Sequence, residues 1–391
     1  MGNKHSLRSG DLKPRVVVVM PTYNESRNIS RMIPELLGNE FPKISAEMHL
    51  VVVDGNSPDG TGKVVLEEAK KYKNLHLDPE KEKRGLGMAY VQGFKYAMDN
   101  LLADAVVEMD ADFQHPPRFL KPMVEAYLDG AEYVIGSRYI KGGSVPKEWP
   151  IHRKAVSFFG NLFIRLVLVK PSLHDLTTGF RLTKVKGVLD KINLDNLMEP
   201  RRFAYKVDLL YQSIKNSKKT VEVPLEFAPR TEEASKFSMK EMVATFKVAI
   251  ILGIKDKARF IKFALVGFTG FIVNFAFLRL FRGMGFTEML SWLFSTEMAI
   301  ISNYTLNNLW TFRESKIAGL IKTLKKFVQF NVTSVGALII QSVMGPLGVR
   351  LIGAKYDFIV LGVVVAFMVL PYNYFMYNVV IWRTWKFGKK K

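Results

Sequence analysis

Asp110 and Asp112 stand two residues apart in the run Met109-Asp110-Ala111-Asp112-Phe113-Gln114-His115-Pro116-Pro117. In an extended chain that spacing points both carboxylates to one side. With the amide oxygen of Gln114 they make a hard-oxygen donor set for Mg²⁺ or Mn²⁺, cations that keep water and bridge substrate phosphates. The apolar residues from Ala105 to Val107 read as a strand, so the sequence places a metal-diphosphate site at a strand's carboxyl end. An Asp-x-Asp triplet alone arises by chance in a chain of 391 residues, and its meaning depends on its neighbours.

Those neighbours read as alternating strands and helices. The β-branched run Arg15 to Met20 ends in Pro21-Thr22-Tyr23-Asn24-Glu25, and a helix follows from Ser26 to Leu37. A buried strand from Leu50 to Val53 closes on Asp54-Gly55-Asn56-Ser57-Pro58-Asp59-Gly60-Thr61, with a helix through Lys70. In open α/β sheets ligands bind beyond the carboxyl ends of the strands, where both turns lie. Asn56 and Ser57 suit either ligand contact or simple turn formation. Arg84-Gly85-Leu86-Gly87 reads as a helix start lining a nucleotide pocket, the helix running through Met98. A further strand, Tyr133 to Ile135, ends in Gly136-Ser137-Arg138-Tyr139. It brings Arg138 to the edge that carries Asp110 and Asp112, as a bidentate phosphate ligand or as a solvated surface arginine.

The amphipathic stretch Ala155 to Val169, with Phe158, Phe159, Leu162, Phe163, Leu166 and Val167, fits either a core helix or one lying on a membrane surface. Arg153, Lys154, Arg165 and Lys170 flank it. His174 to Arg181 is rich in turn formers, and Thr220 to Phe227 reads as a late strand. It leads to Arg230 and to a loop through Lys236 able to close over a diphosphate.

A net charge of +20 suits phosphorylated ligands, a membrane surface or nucleic acid, but 48% hydrophobic residues argue against a protein devoted to nucleic acid. From Phe260 onward four apolar stretches, about 260–281, 288–309, 327–349 and 358–382, are long enough to cross a bilayer. Their Asn, Ser and Glu residues fit a packed bundle. Lysines and arginines gather before the first stretch, between the second and third, and after the fourth, which places the catalytic domain and both termini in the cytoplasm. The absence of cysteine excludes disulfides, thiolate metal sites and a cysteine nucleophile. Residues 1–14 read as a basic disordered tail without a signal peptide's apolar core, 15–237 as the catalytic domain, 238–258 as an amphipathic interfacial helix and 259–391 as a membrane domain of four transmembrane helices.

Taken in order, Pro21 to Glu25, Asp54 with Ser57 to Thr61, Asp110 to Pro117 and Gly136 to Tyr139 resemble family 2 glycosyltransferases, specifically the polyprenyl (dolichyl) phosphate mannosyltransferases. The resemblance spans about residues 15–237. Asn303-Tyr304, Asn307 and Trp310-Thr311-Phe312 resemble the GtrA-like four-span domain fused to archaeal members. It implies an α/β fold of the nucleotide-diphospho-sugar transferase (A-type glycosyltransferase) kind joined to an all-α four-helix transmembrane domain. It also implies a metal-dependent, inverting transfer of mannose from GDP-mannose to a polyprenyl phosphate, giving a β-linked lipid phosphate mannose and GDP.

By the same resemblance Pro21, Tyr23, Glu25, Val53, Asp54 and Ala111 line the nucleotide-sugar pocket, with Arg230 and Lys236 from the closing loop. Asp110, Asp112 and Gln114 hold the metal. Arg138, Arg153 and Ser157 bind the lipid phosphate, and Asp112, Arg138 and Arg153 are the catalytic residues. Two positions depart from the family pattern. The acid often found after Asp54 is Gly55, and Glu233-Ala234 precede Ser235-Lys236 where the loop usually carries glycine.

The partners implied are a nucleotide sugar, a polyprenyl phosphate and the bilayer, not nucleic acid. A polyprenyl phosphate is already anionic near neutral pH, so its attack on the sugar requires no general base. The alternatives are glucose transfer from UDP-glucose to the same class of lipid, and a non-enzymatic lipid-sugar transporter or scaffold. A processive polysaccharide synthase is disfavoured, because no Gln-x-x-Arg-Trp run occurs.

Overall fold

The computed structural model describes residues 13–229 and 239–385. The basic tail up to residue 12, the loop from Arg230 through Lys236, and the final lysines lie outside them. Two compact units divide between Gly253 and Ile254.

The first unit is built on a seven-stranded sheet, β1 Arg15–Thr22, β2 Glu47–Asp54, β3 Leu75–Pro79, β4 Ala105–Glu108, β5 Tyr133–Ser137, β6 Arg181–Lys184 and β7 Thr220–Pro224. The spatial order is β3-β2-β1-β4-β6-β5-β7, with β6 alone antiparallel to its neighbours. Helices α1 Ser26–Ile33, α2 Thr61–Ala69, α3 Leu86–Asp99, α4 Leu120–Leu128, α5 Ile151–Val167 and α6 Tyr205–Asn216 connect and cover it. A central parallel strand is buried on both faces and therefore reads as an unbroken apolar run. In β1, Val16, Val18 and Met20 face one core while Val17 and Val19 face the other. Leu50 and Val52 of β2 divide from Val51 and Val53 in the same way.

β1, β2 and β4 are parallel, so the turns ending in Glu25, Asp54 and Asp110 open on one edge. Asn24 and Asn56 there adopt left-handed φ values of 57° and 58°, a conformation asparagine tolerates better than most residues. Ser57 Oγ accepts from the Asn24 amide at 3.0 Å and donates to Asp54 Oδ1 at 2.6 Å, locking the two turns together. Asn56 and Ser57 thus serve as turn architecture.

On α5, Ile164 is buried while Phe158, Phe159, Phe163 and Leu166 are exposed. The opening turns of α7, Met239–Gly283, pack Ala244, Val248, Ala249 and Leu252 into the core with Ile164 and Leu168. The stretch expected as a separate interfacial helix is thus the start of one continuous 45-residue helix.

The second unit continues with α8 Glu288–Leu306, α9 Leu320–Ile352, α10 Asp357–Val364 and α11 Leu370–Met376. Among the described residues three helical segments are long and apolar enough to cross a membrane: Met239–Gly283, Leu320–Ile352 and Gly362–Ile381. The fourth expected span, 288–309, forms α8 but falls outside that set, diluted by Ser291, Ser295, Thr296, Glu297 and Asn303. An aromatic cluster joins the ends of these helices, with Phe312 stacked on Trp382 at 4.3 Å between ring centroids. Asn308 Oδ1 accepts from both the Ile317 amide and Trp382 Nε1.

Candidate active site

The carboxyl edge of the sheet opens into a cavity of about 740 Å³ in the first unit. Pro21, Tyr23, Glu25, Asp110, Ala111, Asp112, Gln114, Arg138, Arg153 and Ser157 all line it. These residues come from three separate strand ends, those of β1, β4 and β5, and from α5, and the sheet brings them together.

The acidic turn is shaped by its own side chains. Phe113 has a left-handed φ of 62°, and the Gln114 amide donates to Asp112 Oδ1 at 3.1 Å. The Asp110 amide donates to His115 Nδ1 at 3.1 Å, which fixes the neutral ring with its proton on Nε2. Burial pushes the His115 pKa down to about 4, outweighing the attraction of Asp110. Asp110 Oδ1 accepts from Tyr90 Oη at 2.9 Å. Two carboxylates and one amide oxygen, without a cage of three or more His, Cys, Asp or Glu among the described residues, fit a divalent cation that completes its shell with water and phosphate.

Arg138 is held differently from a free phosphate ligand. Its Nε and Nη2 donate to the two oxygens of Asp175 at 2.7 and 2.9 Å, its backbone amide to Asp175 Oδ2 at 3.0 Å, and Nη2 also to Thr177 Oγ1 at 2.7 Å. Burial alone would raise the Asp175 pKa, but the guanidinium and the Arg138 and Thr177 amides hold the carboxyl below its usual range. The pair is buried, with Asp175 fully inaccessible. Asp175 therefore fixes the guanidinium's plane, and Arg138 lines the cavity from that fixed position. The surface-arginine alternative does not hold.

Arg153, in the first turn of α5, lies 4.0 Å from the centre of the Trp149 ring, a cation–π contact. Ser157 Oγ is 2.6 Å from Tyr139 Oη. Of the remaining expected residues, Val53 is fully buried, its side chain facing Gly93 of α3. Packed there against α3, Val53 is not among the residues that line the cavity. Asp54 is buried beneath the cavity, accepting from Thr22 Oγ1 and from the Ser57 amide and hydroxyl. Glu25 Oε2 accepts from Asn28 at 2.7 Å. Arg230 and Lys236 lie outside the described residues.

Gly85 and Leu86 line the cavity at the start of α3. The glycines there serve close packing: a Cβ at Gly85, whose φ is 113°, would come within 2.5 Å of the Arg201 carbonyl, and one at Gly87 within 2.7 Å of the Tyr205 ring.

Sequence reasoning missed Lys206. This lysine on α6 is 1% exposed, lines the cavity, and places Nζ 3.7 Å from Asp110 Oδ1. Nζ has no hydrogen-bond partner among the described residues. A buried ammonium with vacant donors is costly unless a ligand completes it. Its signal in the sequence was a lysine in the otherwise largely apolar run Ala204 to Leu210. Asp175 was missed for another reason, since its turn-rich surroundings gave it no assigned role.

The fold is that of an A-type glycosyltransferase. Residues 17–190 match the family described as Glycosyl transferase family 2, and residues 262–382 match GtrA/DPMS, transmembrane domain. The chain is similar to a dolichol-phosphate mannosyltransferase of Pyrococcus furiosus, 33% identical over 80% of this chain and 85% of the relative. It is also similar to a polyprenol monophosphomannose synthase of Mycolicibacterium smegmatis, 36% identical over 63% and 90%. An undecaprenyl-phosphate mannosyltransferase of Micrococcus luteus is 36% identical over 57% and 88%. The chain belongs to glycosyltransferase family 2, with a C-terminal GtrA/DPMS transmembrane domain. It is a glycosyltransferase and a membrane protein.

Proposed function

We propose that the enzyme transfers mannose from GDP-mannose to a polyprenyl (dolichyl) phosphate, with inversion, releasing GDP and leaving a β-linked lipid phosphate mannose. The observation that carries this reading is the division of the cavity. The Asp110–Gln114 turn after β4 offers the donor set for a metal-bound diphosphate, while Arg138 after β5 joins Arg153 and Ser157 of α5, the helix whose exposed Phe158, Phe159, Phe163 and Leu166 suit the acyl region of a bilayer. The three mannosyltransferase relatives support mannose and a polyprenyl phosphate as the substrates.

Arg138, immobilised by Asp175, and Arg153, braced on Trp149, position the acceptor phosphate by charge-assisted hydrogen bonds. Holding that oxygen in line with the anomeric carbon supplies much of the rate enhancement. Because the phosphate is already ionised, no side chain need take its proton. Lys206 offers donors beside Asp110, where charge develops on the departing nucleoside diphosphate. A divalent cation held by Asp110, Asp112 and Gln114 would neutralise that diphosphate. The basic flanks of the apolar stretches support a cytoplasmic side for this domain and both termini.

The test is transfer of radiolabelled sugar to polyprenyl phosphate from GDP-mannose and from UDP-glucose, each with Mn²⁺ or with excess chelator. Metal-dependent label in lipid from GDP-mannose is the expected result. Label from UDP-glucose alone would replace the donor, and undiminished transfer under chelation would remove the metal.

A further inference from the structure

The end of the cavity bounded by β1, β2 and β3 contains a carboxylate to which the mechanism gives no task. Glu80 follows the last residue of β3, and its amide donates to the Asp54 carbonyl at 2.8 Å, extending the ladder between β2 and β3. Its side chain is 2% exposed, yet it lines the cavity with Tyr23 and Gly55. Oε1 accepts from Arg84 Nε at 2.9 Å, and Arg84 Nη2 donates in turn to Gln92 on α3. That chain of contacts fixes the carboxylate's rotamer. Oε2 lies toward Gly55, where a Cβ would stand 3.6 Å from it and 3.3 Å from the Tyr23 ring. Glycine after Asp54 therefore keeps clear the space into which Glu80 points.

A buried carboxylate has four acceptor sites, and one guanidinium Nε occupies only one. With the diphosphate at the Asp110–Gln114 turn, the nucleoside extends along the strand ends toward Tyr23 and Glu80. Guanine presents two neighbouring donors, N1–H and the N2 amino group, at the spacing of the two carboxylate oxygens. Uracil presents one N–H between two carbonyls, and adenine an acceptor at N1, so each sets an acceptor against Glu80. We propose that Glu80 reads the nucleotide base, accepting from guanine N1–H and N2–H, and so selects a guanosine diphosphate donor. The assignment rests on the nucleotide-sugar reading above and adds the residue that tells guanine from uracil.

The experiment is equilibrium binding of GDP, inosine diphosphate and UDP to the full-length protein in detergent with Mn²⁺ held constant, for wild type, Glu80→Gln and Glu80→Ala. Inosine diphosphate lacks only the N2 amino group. Wild type should bind GDP about tenfold to a hundredfold more tightly than inosine diphosphate, the worth of one hydrogen bond to a buried charge, and more tightly still than UDP. Both variants should lose that preference, the GDP:inosine diphosphate ratio falling to near one, while inosine diphosphate binding persists and shows the site intact. A preference that survives in the variants overturns the assignment, as does parallel loss of all three nucleotides, which marks a structural role. Wild type preferring UDP overturns Glu80 as a guanine reader and leaves the transferase reading standing. Failure of wild type to bind any of the three overturns the nucleotide-sugar reading and the assignment with it.

Discussion

Replacing Asp175 by asparagine removes one charge from a pair buried beneath the cavity and keeps the side chain's shape. Asp175 accepts both guanidinium bonds of Arg138 as well as the Arg138 amide. In the variant an NH₂ group faces the guanidinium, so at least one of those bonds becomes donor against donor. Removing one partner from a buried ion pair costs about 3–5 kcal/mol, whereas an exposed pair would cost about 1 kcal/mol or less. The larger figure applies because the Asp175 and Arg138 side chains are 0% and 8% exposed. For a domain of this size 3 kcal/mol corresponds to a fall in Tm of roughly 6–12 °C. An arginine freed to move by about 1 Å should also lower kcat/KM for the polyprenyl phosphate about 100-fold. Nucleotide affinity, set at the other end of the cavity, should stay within a factor of about three. Thermal unfolding, a transfer titration against lipid phosphate and GDP binding, measured on one preparation, decide the matter. Unchanged Tm and unchanged lipid dependence would refute the claim that Asp175 positions Arg138, and a loss confined to GDP binding would place Arg138 on the wrong substrate.

Three further outcomes follow from the site. Lys206→Met should weaken GDP-mannose binding about tenfold or more, the worth of a hydrogen bond to a charged group, without lowering Tm; lower Tm with unchanged binding would make Lys206 structural. Because burial holds the His115 pKa at about 4 against an ordinary 6.5, the unfolded chain binds the extra proton first as pH falls. The stability His115 contributes, up to about 3 kcal/mol, is thus complete above pH 6.5 and lost as pH falls toward 4; His115→Gln should flatten Tm over that window, and an identical pH profile would contradict the burial argument. Gly87→Ala, forcing a methyl against the Pro200 carbonyl and the Tyr205 ring, should cost about 1–3 kcal/mol in thermal unfolding, and an unchanged Tm would show that the contact yields freely.

The central strands were legible because β1, β2, β4 and β5 are apolar runs that end in polar turns. β3 was not, since Leu75-His76-Leu77-Asp78-Pro79 is short, lies at the sheet's edge and ends in proline. β6 was hidden by charge: Arg181 opens it and is fully buried because it stands opposite Glu108 in the antiparallel register. The Asp110–Gln114 turn, Arg138 and Arg153 were legible as candidates through local spacing, which sequence preserves, and all of them line the cavity. Asp175, Lys206 and Glu80 acquire their roles from partners that only folding brings near. The stretch 288–309 forms α8, with polar residues that keep it outside the set of three long apolar helices among the described residues.

The central claim is tested most directly in vesicles that carry the full-length enzyme and dolichyl phosphate, supplied with radiolabelled GDP-mannose and Mn²⁺, with Asp112→Asn in parallel. The account predicts one mannose in the lipid phase for each GDP released, and a rate at least about 100-fold lower for the variant. GDP release without lipid-linked mannose, or equal rates for the two proteins, would contradict it.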